Sequence, residues 1–207
     1  MIRRLRPYHL AVLLLCAGSL AFSQTGGQPG QKQITVHFDS PQTQIHWTLG
    51  DLLHTVHGTF QLKGGVVTFD PANGAAEGEL LVDLDSGDSG NKTRDQLMKK
   101  NVLETTTYPE AIYHPEKVSG SLKSASLKSG STQQLTVDGT FTIHGKDHPL
   151  QLIVSVQMTD PTHLTATTHF VVPYVAWGMK DPSTFVLRVG KKVDVDVKAQ
   201  GSVEGIE

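Results

Sequence analysis

The sequence predicts an all-β domain, an antiparallel closed barrel with one short inserted helix. Apolar and polar residues alternate in steps of two through nearly every extended stretch after residue 33, turn residues separate those stretches, and one segment alone breaks the pattern. Strand side chains point alternately to opposite faces, so such runs build sheets with one apolar and one wet face. Closing the sheet on itself buries the apolar face and removes exposed edges. A two-sheet sandwich would satisfy the same periodicity.

In chain order, the candidate strands cover residues 33–38, 44–49, 54–62 and 66–69, the last two separated by the turn signal Lys63-Gly64-Gly65. Pro71-Ala72-Asn73-Gly74 leads into 77–84. Residues 91–104 (NKTRDQLMKKNVLE) then lack alternation, are rich in helix formers, and place Met98 and Val102 one turn apart. Gly87, Ser89, Gly90 and Asn91 supply loop and cap before this helix, and the Tyr108-Pro109 step prevents its continuing. It is expected to serve as a lid or end-plug, with Leu97, Met98, Val102 and Leu103 needing apolar cover.

A strand over 110–118 follows, and Ser129-Gly130-Ser131 precedes the next, 132–144. There Leu135, Val137, Gly139, Phe141 and Ile143 interleave with Gln134, Thr136, Asp138, Thr140, Thr142 and His144. After Gly145-Lys146-Asp147 comes 148–158, with Leu150, Leu152, Val154, Val156 and Met158 on one face and Ile153 the one apolar residue out of phase. Asp160-Pro161-Thr162 leads to 163–172, and Val189-Gly190-Lys191 separates 184–189 from 192–203, where Val193, Val195, Val197 and Ala199 alternate with Asp194, Asp196, Lys198 and Gln200. Turn signals between alternating runs describe an antiparallel meander.

At 207 residues, with 38% apolar and 18% charged residues, the chain suits a single all-β domain. Its first 23 residues read as a secretory signal peptide: Arg3, Arg4 and Arg6 form a cationic start, Leu10 to Leu20 an apolar run too short for a membrane span, and Ala21-Phe22-Ser23 a cleavage site. Sec-type export is the expected route, and a periplasmic or secreted location follows. Residues 24–32 read as a flexible polar lead-in and 33–207 as the barrel domain. The single cysteine, Cys16, lies in the signal after the bulky Leu15, so the mature chain is expected to hold no disulfide. Removing three arginines leaves 15 basic against 20 acidic residues, a balance of −5 that as a whole gives no footprint for nucleic acid or for anionic lipid headgroups.

Four segments resemble the YceI-like family of exported bacterial proteins, which bind lipids or polyisoprenoids. They are His57-Gly58-Thr59-Phe60 with Val67-Thr68-Phe69-Asp70, Arg94-Asp95 with Val102-Leu103-Glu104 and Tyr108-Pro109-Glu110-Ala111-Ile112, Val137 to Gly145 with His148-Pro149-Leu150, and Phe170-Val171-Val172 with Trp177-Gly178-Met179. Each motif is weak alone; their order and spacing across residues 33–203 are specific. The resemblance implies a lipocalin-like barrel holding an isoprenoid or other long-chain amphiphilic lipid. Two positions depart from the family pattern. Gln96-Leu97-Met98 stands where a histidine is common, and Val172-Pro173-Tyr174-Val175-Ala176 where an arginine is common, which implies a different or headgroup-free ligand.

The ligand-binding candidates are Ile45, Trp47, Phe60, Val82, Leu84, Phe141, Ile143 and Phe170 on apolar strand faces, Leu97 and Met98 on the helix, and Tyr174 and Trp177 in an irregular segment suited to a mouth. Leu49, Val56, Val154 and Val156 share those faces. Ordinary core packing competes for every strand position. No cofactor beyond a bound lipid and no catalytic residue is expected.

Two other classes fit less well. Among the ten histidines, His54 and His57 fall on opposite faces of a strand, and His144 and His148, across a turn, lack a carboxylate or thiol partner. Asp83, Asp85 and Asp88 neighbour Ser86 and Ser89, but no histidine is placed to activate either serine. A filled barrel acting as an extracellular interaction module remains the alternative to a carrier.

Overall fold

Eight hydrogen-bonded positions close the sheet into a ring, and two short strands share one of them. The computed structural model describes residues 33–50, 55–120, 132–184 and 188–205. Nine strands lie among these: β1 (Ile34–Phe38), β2 (Gln44–Gly50), β3 (Thr55–Phe69), β4 (Ala76–Asp88), β5 (Glu110–Gly120), β6 (Thr132–Ile143), β7 (Lys146–Asp160), β8 (His163–Val172) and β9 (Val193–Glu204). Every pairing is antiparallel, running β3-β4-β5-β6-β7-β8-β9. Between β9 and β3, β2 spans one half of both strands and β1 the other: Trp47 lies opposite Gly58 and Val195, whereas Val36 lies opposite Val67 and Val203. The barrel prediction therefore holds, and the ring leaves no strand unpaired on either side.

Predicted strands 54–62 and 66–69 are one strand, because Lys63-Gly64-Gly65 forms a bulge rather than a turn; the register with β4 shifts between Leu62 and Gly64. An extra residue there bends and twists a long strand without ending it. The tight turn after β6 falls at His144-Gly145, with φ of 53° and 69°, one position earlier than expected. Two consecutive residues at positive φ are the primed hairpin geometry, and Lys146 and Asp147 already belong to β7. Residues 185–187 of the predicted strand 184–189 lie outside the described residues, and of the rest only Val189 takes part in a bridge. β8 pairs directly with β9 from Val172/Val193 to His163/Ser202, which leaves no open edge for another strand between them. The expected signal peptide, the lead-in, Ser129 to Ser131 and His54 lie outside the described residues.

The one helical segment among the described residues begins at α1 (Lys92–Met98), capped by the Asn91 side chain on the Arg94 N–H at 3.1 Å. It continues as a π-helical turn over Lys99–Leu103 and stops at Glu104, whose φ of 50° is left-handed. Ile153 is exposed, as its phase requires.

Inward side chains gather at two poles. Ile34, Val36, Phe69, Leu135, Met158, Leu164 and Val203 pack one pole tightly. Leu84, Leu103, Tyr113, Phe141, Ile143, Val172, Tyr174 and Met179 gather at the other, beneath the helix. Tyr113 anchors the boundary: its hydroxyl donates to the carbonyls of Val137 (3.0 Å) and Leu150 (3.2 Å), and burial raises its pKa.

Candidate functional site

Beneath the helix the barrel is hollow. A cavity of about 1210 Å³ occupies this pole, whereas the opposite pole retains only an apolar void of about 150 Å³. An eight-strand barrel is near the width at which side chains can either fill the interior or leave room for one ligand. Here the choice differs between the poles. Val193, Val195, Phe60, Val82 and Phe170 point inward yet are only half-buried, because their apolar surface faces the void. No described side chain is less than 2% exposed.

The deep wall is apolar. Ile45 and Trp47 come from β2, Phe60 from β3, Val82 and Leu84 from β4, Phe141 and Ile143 from β6, and Phe170 from β8. Trp47 is 4% exposed and lies flat across Gly58, where a Cβ would stand 2.2 Å from the indole ring and 2.6 Å from the Asp88 carbonyl. Glycine at 58 is thus the condition for this indole to lie against the barrel wall. The indole Nε1 is buried without a hydrogen-bond partner, a polar atom inside an otherwise oily wall. The ring stands 6.3 Å from Phe60.

The helix closes over this wall. Met98 Cε and Phe60 Cε1 both crowd the face of Gly87, each 2.7 Å from where a Cβ would stand. Met98, Val102 and Leu103 face the cavity, and Leu97 lines it while remaining 54% exposed at the lip. Asp95, at the helix base, accepts from the Ser89 N–H (3.0 Å) and from its hydroxyl. Ser89 in turn accepts Arg94 Nε at Oγ (2.7 Å) and Nη2 at its carbonyl (2.7 Å). A buried carboxylate thus holds a serine, and the serine holds the arginine. Of the five guanidinium N–H groups, two are engaged, so three stay available at the rim.

Opposite the helix, the segment after β8 turns at Tyr174 to Gly178 and lines the mouth through Met179, Lys180, Asp181, Pro182, Ser183 and Thr184. The Tyr174 hydroxyl fastens it by donating to the Gly190 carbonyl at 2.8 Å, and burial pushes the phenol up to about 12. Ser183 donates to Asp181 and Lys191 stands 3.7 Å away, which holds the Asp181 carboxyl below its ordinary range. The rim is polar where the wall is not: Ser89, Asn91, Thr93, Arg94, Asn101 and Lys180 all contribute.

Eleven of the twelve residues singled out from sequence line this cavity; Trp177 does not. Its ring stacks on His148 at 4.1 Å with the planes 7° apart, and stands 6.0 Å from Phe141. It packs against the outer edge of a cavity residue instead of facing the hollow. Val154 and Val156 belong to the small void of the packed pole. Sequence reasoning left out Thr93, Asn101, Ala111, Met179 and Lys180 as lining residues. The Val193–Val195–Val197 alternation was visible, and its cavity role required the ring closure.

His144 Nε2 meets Glu104 at 3.0 Å and its ring packs on Tyr108, while His148 stacks on Trp177. Among the described residues no group of three His, Cys, Asp or Glu is arranged around a common point. Asp83 and Asp88 accept the N–H groups of Asp85 and Gly90, and Ser86 donates to the Asp83 carbonyl at 2.5 Å. These contacts shape a strand end.

The architecture is a cup-like antiparallel barrel, packed at one pole and hollow under a helical lid at the other. The chain belongs to the YceI-like domain family, whose model matches residues 36–201. Among solved structures it is similar to a polyisoprenoid-binding domain from Saccharophagus degradans, 18% identical over 82% of this chain and 98% of that one, with a TM-score of 0.66. BcnA of Burkholderia cenocepacia is 19% identical over 79% and 98%, with a TM-score of 0.62. The YCEI protein of Campylobacter jejuni is 16% identical over 67% and 79%, with a TM-score of 0.51. At these identities the likeness establishes the shared fold. No curated protein matches the chain.

Proposed function

We propose that this chain is an exported, non-catalytic carrier that holds a polyisoprenoid, quinone-like or other long-chain lipid inside its barrel. The observation that carries the reading is the apolar cavity of about 1210 Å³ with a polar rim. Small-molecule pockets run to about 300–1,000 Å³, so this hollow suits a long guest. Each methylene removed from water contributes about 0.8 kcal/mol, and an oily wall is sufficient to hold a tail without any charged grip. Ordering the tail offsets much of that gain. Arg94, Asn91, Asn101 and Lys180 stand where the polar end of an amphiphile would emerge. The similar fold from Saccharophagus degradans is a polyisoprenoid-binding domain, which agrees with this class of ligand.

Export rests on the signal-like first 23 residues. The test is organic extraction of the mature protein, secreted by its own host, followed by mass analysis of the extract. A stoichiometric long-chain lipid is expected. A folded protein that yields no lipid, and takes up none when offered a prenol in detergent, would refute the carrier reading.

A further inference from the structure

We propose that the lid is also a docking surface for an anionic phospholipid bilayer, with Leu97 entering the headgroup layer and the cations around it contacting lipid phosphates. This inference rests on the carrier reading, since a lipid cargo must be loaded or delivered somewhere. It names where on the molecule that happens.

Three observations point there. Leu97 is the most exposed large apolar side chain among the described residues, at 54%, and it sits at the lip of an apolar cavity. On the same segment, the exposed Arg94 lies one α-helical turn before Leu97, and the exposed Lys100 follows it in the π-helical turn. Lys92 and Lys99 complete a set of four cations over residues 92–103, against the single acid Asp95, which is buried at the helix base and turned to Ser89.

Elsewhere the chain runs to net negative charge, so this concentration is local. No ion pair among the described residues engages Lys92, Arg94, Lys99, Lys100 or Lys180, the last on the opposite lip. The acids nearest the lid in sequence have partners: Asp85 accepts from Thr105, Asp88 from Gly90, and Glu104 meets His144. An exposed apolar anchor ringed by unpaired cations is the composition of an interfacial membrane contact. Its place over the mouth would let a tail pass between bilayer and barrel without crossing water.

The test uses flotation of the mature protein with two kinds of vesicle, phosphatidylcholine alone and phosphatidylcholine with phosphatidylglycerol. Binding to the anionic vesicles alone, weakened by high salt, is expected. Lys92→Gln, Lys99→Gln and Lys100→Gln lie outside the cavity lining. At about fivefold per cation, the triple variant loses about a hundredfold in vesicle affinity while its uptake of a prenol from detergent is unchanged. In a Leu97→Trp variant the new indole's emission shifts to the blue on adding anionic vesicles. Equal binding to both vesicle types, full binding by the triple variant, or no shift in Leu97→Trp would each overturn the docking surface. Loss of prenol uptake by the unmodified protein would instead overturn the carrier reading, which the detergent measurement reads separately.

Discussion

The hollow pole can be tested by placing one substitution at two sites on one strand. Val195 and Val203 both point inward from β9, but Val195 is half-buried beside the cavity between Trp47 and Phe170, whereas Val203 is 5% exposed among Ile34, Val36, Phe69, Met158 and Leu164. Val203→Phe forces a ring into a packed pole, and overpacking of that kind costs about 1–3 kcal/mol. With a urea slope of about 2 kcal/mol/M, a loss of about 2 kcal/mol lowers the unfolding midpoint by about 1 M. Val195→Phe places the same ring in open space. Its added carbons leave water at about 0.8 kcal/mol per buried methylene, which offsets any local adjustment and leaves the midpoint within about 0.3 M of the parent. Equilibrium urea unfolding of delipidated protein, followed by far-ultraviolet circular dichroism, reads both values. The same Val195→Phe protein should take up less lipid. If the two variants lose stability equally, the lid pole is as well filled as its opposite, and the carrier argument fails with it.

Other perturbations test single contacts. Gly58→Ala would drive a methyl into the Trp47 ring and the Asp88 carbonyl; it should cost about 1–3 kcal/mol and shift tryptophan emission, and an unperturbed spectrum would contradict the close approach. Tyr174→Phe removes the hydroxyl that holds the Gly190 carbonyl, and about 1 kcal/mol should be lost in thermal unfolding. That phenol titrates at about 12 in the fold against an ordinary 10.0, so its contribution is complete below about pH 10 and is lost as pH rises through 12; a midpoint that stays flat over that window in wild type would refute it. Burial against Trp177, with the Lys146 charge nearby, lowers the His148 pKa below its ordinary 6.5, Asp147 opposing. The stability it supports is therefore present above pH 6.5 and lost as pH falls through the lower folded value, and an imidazole resonance titrating at or above 6.5 would sink the assignment.

Much of this arrangement was legible because strands code for facing with a period of two. The alternations of Leu135 to Ile143 and Leu150 to Met158 placed each residue on its observed side, down to the outward Ile153. The lid was legible from the one stretch without alternation, and its cap from Asn91. Position along the barrel was not. Whether an inward valine meets neighbours or void depends on which residues the ring closure brings opposite it, and pairs such as Trp47 with Val195 lie far apart in sequence. The tandem placement of β1 and β2 in one position of the ring also depends on both β3 and β9 being long enough to be shared. Local pattern misled at Lys63-Gly64-Gly65 because a bulge and a turn use the same residues. Trp177 misled because an aromatic in an irregular segment can as readily stack on a neighbouring ring, here His148, as face a mouth.

The division between poles also explains how such a barrel can be both stable and hollow. An empty cavity sacrifices the dispersion contacts that its lining would otherwise make. Cohesion must then come from elsewhere, and here it comes from the packed pole, where β1 ties β3 to β9 and Ile34, Val36, Phe69 and Val203 close the end. At the open pole β2 holds the same two strands and presents Trp47 and Ile45 to the void. Duplicating the shared position in the ring thus separates two tasks along one pair of strands. Substitutions facing the void can alter what is held without loosening the fold, whereas substitutions at the packed end act on the fold itself.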